Sequence, residues 1–377
     1  MAKKQLVSYK NSIANFTAAL MKNYNLPTTY EPSALIEFLL SKKYKHVVLM
    51  VLDGMGRHVI DKNCSNGSIL KTHQVMNLNS VYPPTTVAAT TTFTTGLAPI
   101  ESGWLGWHLY LNNVDPSITL FKNEVNSTGE PFTKFKVEDV IPCDYWYNHL
   151  KRAKHYTIYP SWAENGVNSL SEAFEKVKEN CLKEESNFTY MYWDEPDALM
   201  HEYGTTSQIV KVKLLEIEEL VNKFAEEIPN ETIVLITSDH GMIDVEPLEL
   251  SNYPDFTECL SKPFAGEGRF AQFYVKEDKQ EEFKELFNKY FGESFMLMSK
   301  KEFLDSKMSG LNEPNDVIKY ALGDFVAIAT GNYYFTEKLS DDDVIFKAHH
   351  AGITPEEMET CVILLKRKDP KEEVIEE

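Results

Sequence analysis

Paired thiols are missing from this sequence. Its five cysteines, Cys64, Cys143, Cys181, Cys259 and Cys361, are scattered, odd in number and contain no C-x-x-C pair. That excludes a disulfide framework and suits free thiols in a reducing compartment. Long apolar runs are missing too, since nothing approaches the ~20 residues that a bilayer-spanning helix needs. The stretch Met1 to Leu20 is polar and interrupted by Lys and Asn, without the apolar centre of a secretion signal. The expected location is cytoplasmic. Positive charge is scarce: 38 Lys and Arg against 57 Asp and Glu leave a formal charge of −19. Such a surface repels polyanions, which argues against a nucleic acid polymer or an anionic membrane as partner. A small phosphate substrate then needs a local positive centre, and bound metal supplies one. No repeat period or low-complexity linker appears, and nothing in the sequence sets an oligomeric state.

What is present fits a soluble globular protein. Of 377 residues, 43% are hydrophobic and 25% charged, enough to bury a sizeable core. Three apolar runs each end in acidic and polar residues. His46 to Leu52 ends at Asp53-Gly54-Met55-Gly56, Phe188 to Trp193 at Asp194-Glu195-Pro196-Asp197, and Thr232 to Thr237 at Ser238-Asp239-His240-Gly241. Runs that are apolar throughout, rather than alternating, predict strands buried on both faces, as in a parallel sheet. Between them, Ser169 to Glu185 and Ile209 to Glu227 carry apolar residues at i, i+3 and i+4, the pattern of amphipathic helices. The expected fold is therefore α/β, a mostly parallel central sheet with helices on both faces, forming a single catalytic domain over 1–377. In such sheets ligands collect at the carboxyl ends of the strands, where all three acidic clusters lie. The segment 243–346, with a strand pattern at Arg269 to Lys276 and a helix pattern at Gln280 to Phe291, reads as an inserted α+β subdomain, a candidate lid. The charged run Lys366 to Glu377 reads as a solvated tail.

The polar residues at those strand ends are metal-ligand types. Asp197 and His201 are spaced i, i+4, which places both on one face of a helix. Asp239 and His240 are adjacent after a strand, Asp53 follows another, and His349-His350-Ala351-Gly352 lies near the C-terminus. Mixed Asp and His donors suit Zn²⁺ first, with Mn²⁺ as the alternative, and two such ions can stabilise the attacking and leaving oxygens of a phosphoryl group together. A Thr-rich segment, Thr85-Thr86-Val87-Ala88-Ala89-Thr90 through Thr95-Gly96, supplies hydroxyls that become nucleophiles next to such ions. A helix starting after Thr86 would add free N–H groups for a phosphate.

Taken in order, these pieces resemble the signature of the alkaline phosphatase superfamily, and within it the nucleotide pyrophosphatase/phosphodiesterase branch. The resemblance runs from Val47 to Met358: Asp53-Gly54-Met55-Gly56, Thr95-Gly96-Leu97-Ala98-Pro99, Asp194-Glu195-Pro196-Asp197 followed by His201, Ser238-Asp239-His240-Gly241, and the late His-x-Gly. It implies one metal on Asp53, Thr86, Asp239 and His240, and a second on Asp197, His201 and a late histidine, with Thr86 as nucleophile. Gly96 selects Thr86, because the branch places its Thr ten positions before that Gly; Thr85 and Thr90 are the fallbacks. For the late ligand, one alignment of the motif favours His350 and another His349, and His350 is preferred. The branch usually carries an Asn just after this segment to bind a phosphate oxygen, whereas this chain has Trp104 in Ser102-Gly103-Trp104-Leu105-Gly106-Trp107. Trp104 and Trp107 are therefore candidate platforms for a flat leaving group. The implied activity is metal-dependent cleavage of a phosphodiester or nucleotide-type phosphoanhydride through a phospho-threonine, on a small phosphate ester or nucleotide. A phosphomonoesterase or phosphosugar mutase of the same superfamily is the alternative, and a non-catalytic phosphate-binding protein is the alternative of another class. A monoester specialist commonly places an Arg by the nucleophile; no Arg lies between Arg57 and Arg152, leaving Arg57 or Arg269 to reach in through the fold.

Overall fold

The computed structural model describes residues 7–112, 114–339 and 345–367. Residues 368–377 of the charged tail and 340–344 of the expected insertion lie outside the described residues. The three apolar runs form neighbouring strands of one sheet. Its members are β1 (His46–Leu52), β2 (Gln74–Asn79), β3 (Lys154–Ile158), β4 (Asn187–Trp193), β5 (Thr232–Thr237) and the late strand Glu359–Lys366. Across the sheet the order is β2, Glu359–Lys366, β5, β1, β4, β3. β1 runs parallel to both β4 and β5, and β3 parallel to β4, whereas the late strand is antiparallel to both its neighbours. This is the mostly parallel α/β sheet that the sequence predicts.

Continuous apolarity follows from burial on two sides. Val47, Leu49 and Val51 enter one core with the helix Ile13–Asn23, while Val48, Met50 and Leu52 enter another with the helices Leu170–Cys181 and Gln208–Glu227. Each fully buried Val, Leu or Met contributes roughly 1.5–3 kcal/mol, so neither face of β1 tolerates a polar residue. Both long helices start on a serine cap: the Ser169 hydroxyl accepts from the Glu172 N–H, and that of Ser207 from the Val210 N–H. The first stops at Cys181, short of the predicted Glu185, because the chain must turn to enter β4 at Asn187.

A second sheet of seven antiparallel strands flanks the first. The segment 243–346 supplies four of them, Leu260–Glu267, Phe270–Val275, Phe295–Ser299 and Phe325–Ala329; three short ones come from His108–Leu109, Ile118–Thr119 and Glu124–Val125. The helix Gln280–Phe291 lies where the sequence places it, with Phe283, Phe287 and Phe291 on one stripe against Phe273, Phe325 and Phe335. The opposite face of this sheet joins the main core through Phe270, Val326 and Ile328. Among the described residues no helix is long and apolar enough to cross a membrane.

Candidate active site

The carboxyl ends of β1, β4 and β5 meet because two glycines let backbones approach. Gly54, just after Asp53, has φ +68°, and a Cβ there would lie 2.9 Å from the Asp197 Cβ. The Asp197 N–H in turn donates to the Asp53 carbonyl at 3.1 Å. At Gly241 a Cβ would lie 2.0 Å from the Glu356 carbonyl oxygen, so only glycine lets the segment after His350 close against the end of β5. The aspartates at the strand ends and the late histidines thereby converge.

The threonine segment enters as α1 (Thr86–Thr95), with Thr85 as its N-cap residue in extended conformation. Thr85 does not cap the helix; its hydroxyl donates to the buried Glu267 Oε1 at 2.6 Å. The Thr90 hydroxyl donates back to the Thr86 carbonyl at 2.6 Å. Thr86 alone of the three turns its hydroxyl to the acidic cluster, 3.2 Å from Asp53 Oδ2 and 3.3 Å from His240 Nε2. With no side chain capping the first turn, the helix N-terminus favours an anion beside that hydroxyl.

Six of the predicted ligands form one continuous cluster together with the alternative, His349. Asp53, Asp239 and His240 make one triad whose donor atoms lie within 4.8 Å of one another; Asp197, His240 and His350 make a second; His201, His349 and His350 make a third. Asp197 and His201 share one face of α2 (Asp197–Tyr203), 3.3 Å apart. Three imidazoles are oriented from behind. The Nδ1 atoms of His201, His240 and His350 lie at 2.9 Å, 2.9 Å and 3.1 Å from the carbonyls of Ala348, Gly241 and Pro84. A carbonyl only accepts, so each Nδ1 carries the proton and each Nε2 turns a lone pair inward in the neutral ring. His349 is the reverse: its Nδ1 accepts the His350 backbone N–H at 2.8 Å, which leaves the proton on Nε2.

The electrostatics call for a cation. Asp53 Oδ1, Asp197 Oδ1 and Asp239 Oδ2 are buried and receive no hydrogen bond. Burial and the neighbouring Asp239 and Asp197 hold the Asp53 carboxyl well above the usual range, and burial followed by Asp197 pushes Asp239 up to about 7. Burial also works against ionised Asp197, but the charge of His201 outweighs it and holds Asp197 below its ordinary value. Bare carboxylate oxygens facing imidazole lone pairs at 3.2 Å and 3.5 Å, as around His240 Nε2, form a donor set that fits Zn²⁺ or Mn²⁺.

Some expectations change. Trp104 is only 3% exposed, and its indole N–H donates to the Ile141 carbonyl at 3.0 Å. It packs in the core and offers no face to a ligand, against the expectation of a stacking platform. Trp107 is partly buried, edge-on to Phe121, and contributes its backbone N–H to Glu267. Neither arginine reaches the site. Fully buried Arg269 grips Glu357 through Nε at 2.6 Å and Nη2 at 2.8 Å, and Arg57 pairs with Asp61 and Glu359. Two site residues escaped the sequence reading. Tyr192 donates its hydroxyl to Asp53 Oδ2, and Glu267 is a buried carboxyl pushed up to about 7 by desolvation. The signal available for Tyr192 was its place on the apolar run two residues before Asp194.

Similarity to known proteins agrees with this geometry. Among solved structures, murine ectonucleotide pyrophosphatase/phosphodiesterase 5 superposes with a TM-score of 0.61 at 18% identity, over 84% of this chain and 87% of that one. An inactive Thr-to-Ala variant of the murine protein, in complex with AMP, matches equally. The human counterpart gives a TM-score of 0.62 at 16% identity with the same coverage. Comparison with curated protein sequences gives no significant match. The model of the type I phosphodiesterase/nucleotide pyrophosphatase family matches residues 47–353, which span β1, the threonine segment and both late histidines. The chain belongs to that family of phosphoric ester hydrolases, within the alkaline phosphatase superfamily.

Proposed function

We propose that the chain hydrolyses phosphodiester or nucleotide-type phosphoanhydride bonds by attack of the Thr86 hydroxyl, on a centre that holds two divalent cations, Zn²⁺ before Mn²⁺. The observation that carries this reading is the placement of Thr86: hydroxyl at the cluster, at an uncapped helix N-terminus, while the Thr85 and Thr90 hydroxyls are committed elsewhere. The inactive Thr-to-Ala variant of the murine relative and its complex with AMP support both the nucleophile and a small nucleotide-type substrate. Asp53, Thr86, Asp239 and His240 would hold one cation, and Asp197, His201 and His350 the other. His350 fills the last place rather than His349, because its Nε2 keeps a free lone pair. Bound there, the cations supply Lewis acidity that favours the ionised Thr86 oxygen and neutralises charge on the phosphoryl oxygens.

The chain's own groups do the rest. Thr86 Oγ1 forms a bond to phosphorus, the bond to the leaving oxygen breaks, and water later cleaves the phospho-threonine. The free N–H groups of α1 face the phosphoryl oxygens. With Arg57 and Arg269 both committed elsewhere, neither arginine that the sequence offered for the site meets the extra charge of a monoester, which favours the diester reading over phosphatase or mutase activity. The free thiols and acidic surface support a cytoplasmic location. The test is the ratio of kcat/KM for a nitrophenyl diester to that for the matching monoester, with and without chelator. A ratio above one that chelation abolishes is expected; a ratio well below one would assign a phosphatase.

A further inference from the structure

We propose that the indole N–H of Trp107 donates a hydrogen bond to a non-bridging oxygen of the phosphoryl group under attack; this rests on the phosphodiesterase reading and names a further catalytic residue for that site. The chain has five tryptophans, and four of them commit their indole hydrogen within the protein. Trp104 and Trp146 donate to the carbonyls of Ile141 and Phe93, Trp162 to Asp194, and Trp193 to Glu195. Among the described residues the Trp107 indole N–H has no partner. It is not one of the buried unpaired polar groups either, so it is open to a ligand.

The backbone of Trp107 is held beside the nucleophile. On one side of it a Cβ at Gly106 would lie 2.9 Å from the Gly266 Cα, and on the other His108 pairs with Gly266. Trp107 itself gives its backbone N–H to Glu267, whose Oε1 accepts the Thr85 hydroxyl at 2.6 Å. A single carboxyl group therefore joins Trp107 to the residue that precedes Thr86. The ring is restrained as well. It packs on the main core and stands at 78° to Phe121, 6.4 Å away, and Phe121 in turn leans on buried Trp104. A donor at the end of a rigid side chain with two torsions has little ordering left to lose on binding. With Arg57 and Arg269 bonded elsewhere, an indole N–H adds a hydrogen bond without a charge, which suits the single negative charge of a diester.

Nuclear magnetic resonance of Zn²⁺-loaded protein labelled with ¹⁵N-tryptophan, titrated with inorganic phosphate, tests this. The Trp107 indole cross-peak, assigned by its absence from Trp107→Phe, is expected to move downfield as the hydrogen bond forms. Those of Trp104 and Trp146, already bonded to backbone carbonyls, should stay in place. In parallel, Trp107→Phe keeps an aromatic ring and removes the N–H, and should lower kcat for a nitrophenyl diester about a hundredfold, the loss that follows removal of one oxyanion donor. Its zinc content and urea midpoint should be unchanged, and Trp107→Gln, which restores a donor, should recover part of kcat. A Trp107 cross-peak that phosphate does not move, or Trp107→Phe turning over like the wild type, would overturn the proposal. The two claims separate in the wild type. A moving cross-peak without diester turnover keeps the donor and removes the phosphodiesterase reading, and turnover with a stationary cross-peak does the reverse.

Discussion

Glu267 approaches the threonine segment from the second sheet, and its buried carboxyl accepts the Thr85 hydroxyl at 2.6 Å and the Trp107 backbone N–H. Through Thr85 it fixes the residue before Thr86, so it acts as a positioning residue. Glu267→Ala leaves a buried hydroxyl unpaired, a cost of about 1–3 kcal/mol. The expected outcome is a lower urea midpoint and a fall in kcat with KM little changed, partly restored in Glu267→Gln, which keeps an acceptor. A uniform rise in KM instead would place Glu267 in substrate binding. Such a contact is illegible in sequence, since 182 residues separate its partners and Glu267 belongs to no motif. By contrast the convergence of Asp53, Asp197, His201, Asp239 and His240 was legible because each lies within three residues of a strand end or on one helical turn. The proposed preference for His350 over His349 rests on backbone hydrogen bonds, which no sequence pattern shows.

At the level of elements, the late loop carrying His350 is fixed to the second sheet by one buried ion pair. Arg269 donates to both oxygens of Glu357 and to the carbonyls of Tyr333 and Gly331, while Glu357 also accepts from the Gly352 and Thr354 N–H groups. Glu357→Gln leaves the guanidinium buried without its counter-charge, and breaking such a pair costs about 3–5 kcal/mol. Urea unfolding should show that loss, and kcat should fall as the His350 loop shifts. Replacing both partners, as Arg269→Met with Glu357→Leu, should recover much of the stability. The strands were legible where they are buried on both faces, as β1 and β5 are, and the helix Gln280–Phe291 where its phenylalanines keep helical spacing. The strands His108–Leu109, Ile118–Thr119 and Glu124–Val125 were not, because two-residue strands are defined by their pairing and leave no periodicity to read.

Over the whole molecule, a chain of formal charge −19 concentrates buried acids at one edge of its sheet. Without metal those acids couple folding to pH. Asp239, pushed up to about 7, binds a proton that the unfolded chain, with its Asp near 4, has released. Its contribution is full below pH ~4 and is lost as pH rises through 7; Asp53, also raised, has the same sign. His349 and His350, held well below their usual value by burial and neighbouring histidines, have the opposite sign, with a contribution lost as pH falls below ~6.5. Above pH ~6.5 the raised carboxyls remain, and His201, which burial works to lower but Asp197 holds above its usual value, adds a contribution of the same sign. Calorimetry of chelated protein should therefore show Tm falling from pH 6.5 to pH 8, with Zn²⁺ raising it more at pH 8 than at pH 6.5. A flat profile unaffected by Zn²⁺ would contradict a metal-holding cluster.

The most direct measurement of the central claim is acid-quenched mass spectrometry of the Zn²⁺-loaded enzyme during turnover of a nitrophenyl diester. The expected result is a phosphoryl-ester adduct on the peptide that contains Thr86, absent from Thr86→Ala, which should fold and bind metal but not turn over. Thr86→Ser should form the adduct with part of the activity. Wild-type turnover persisting in Thr86→Ala, or an adduct on Thr85 or Thr90, would contradict it.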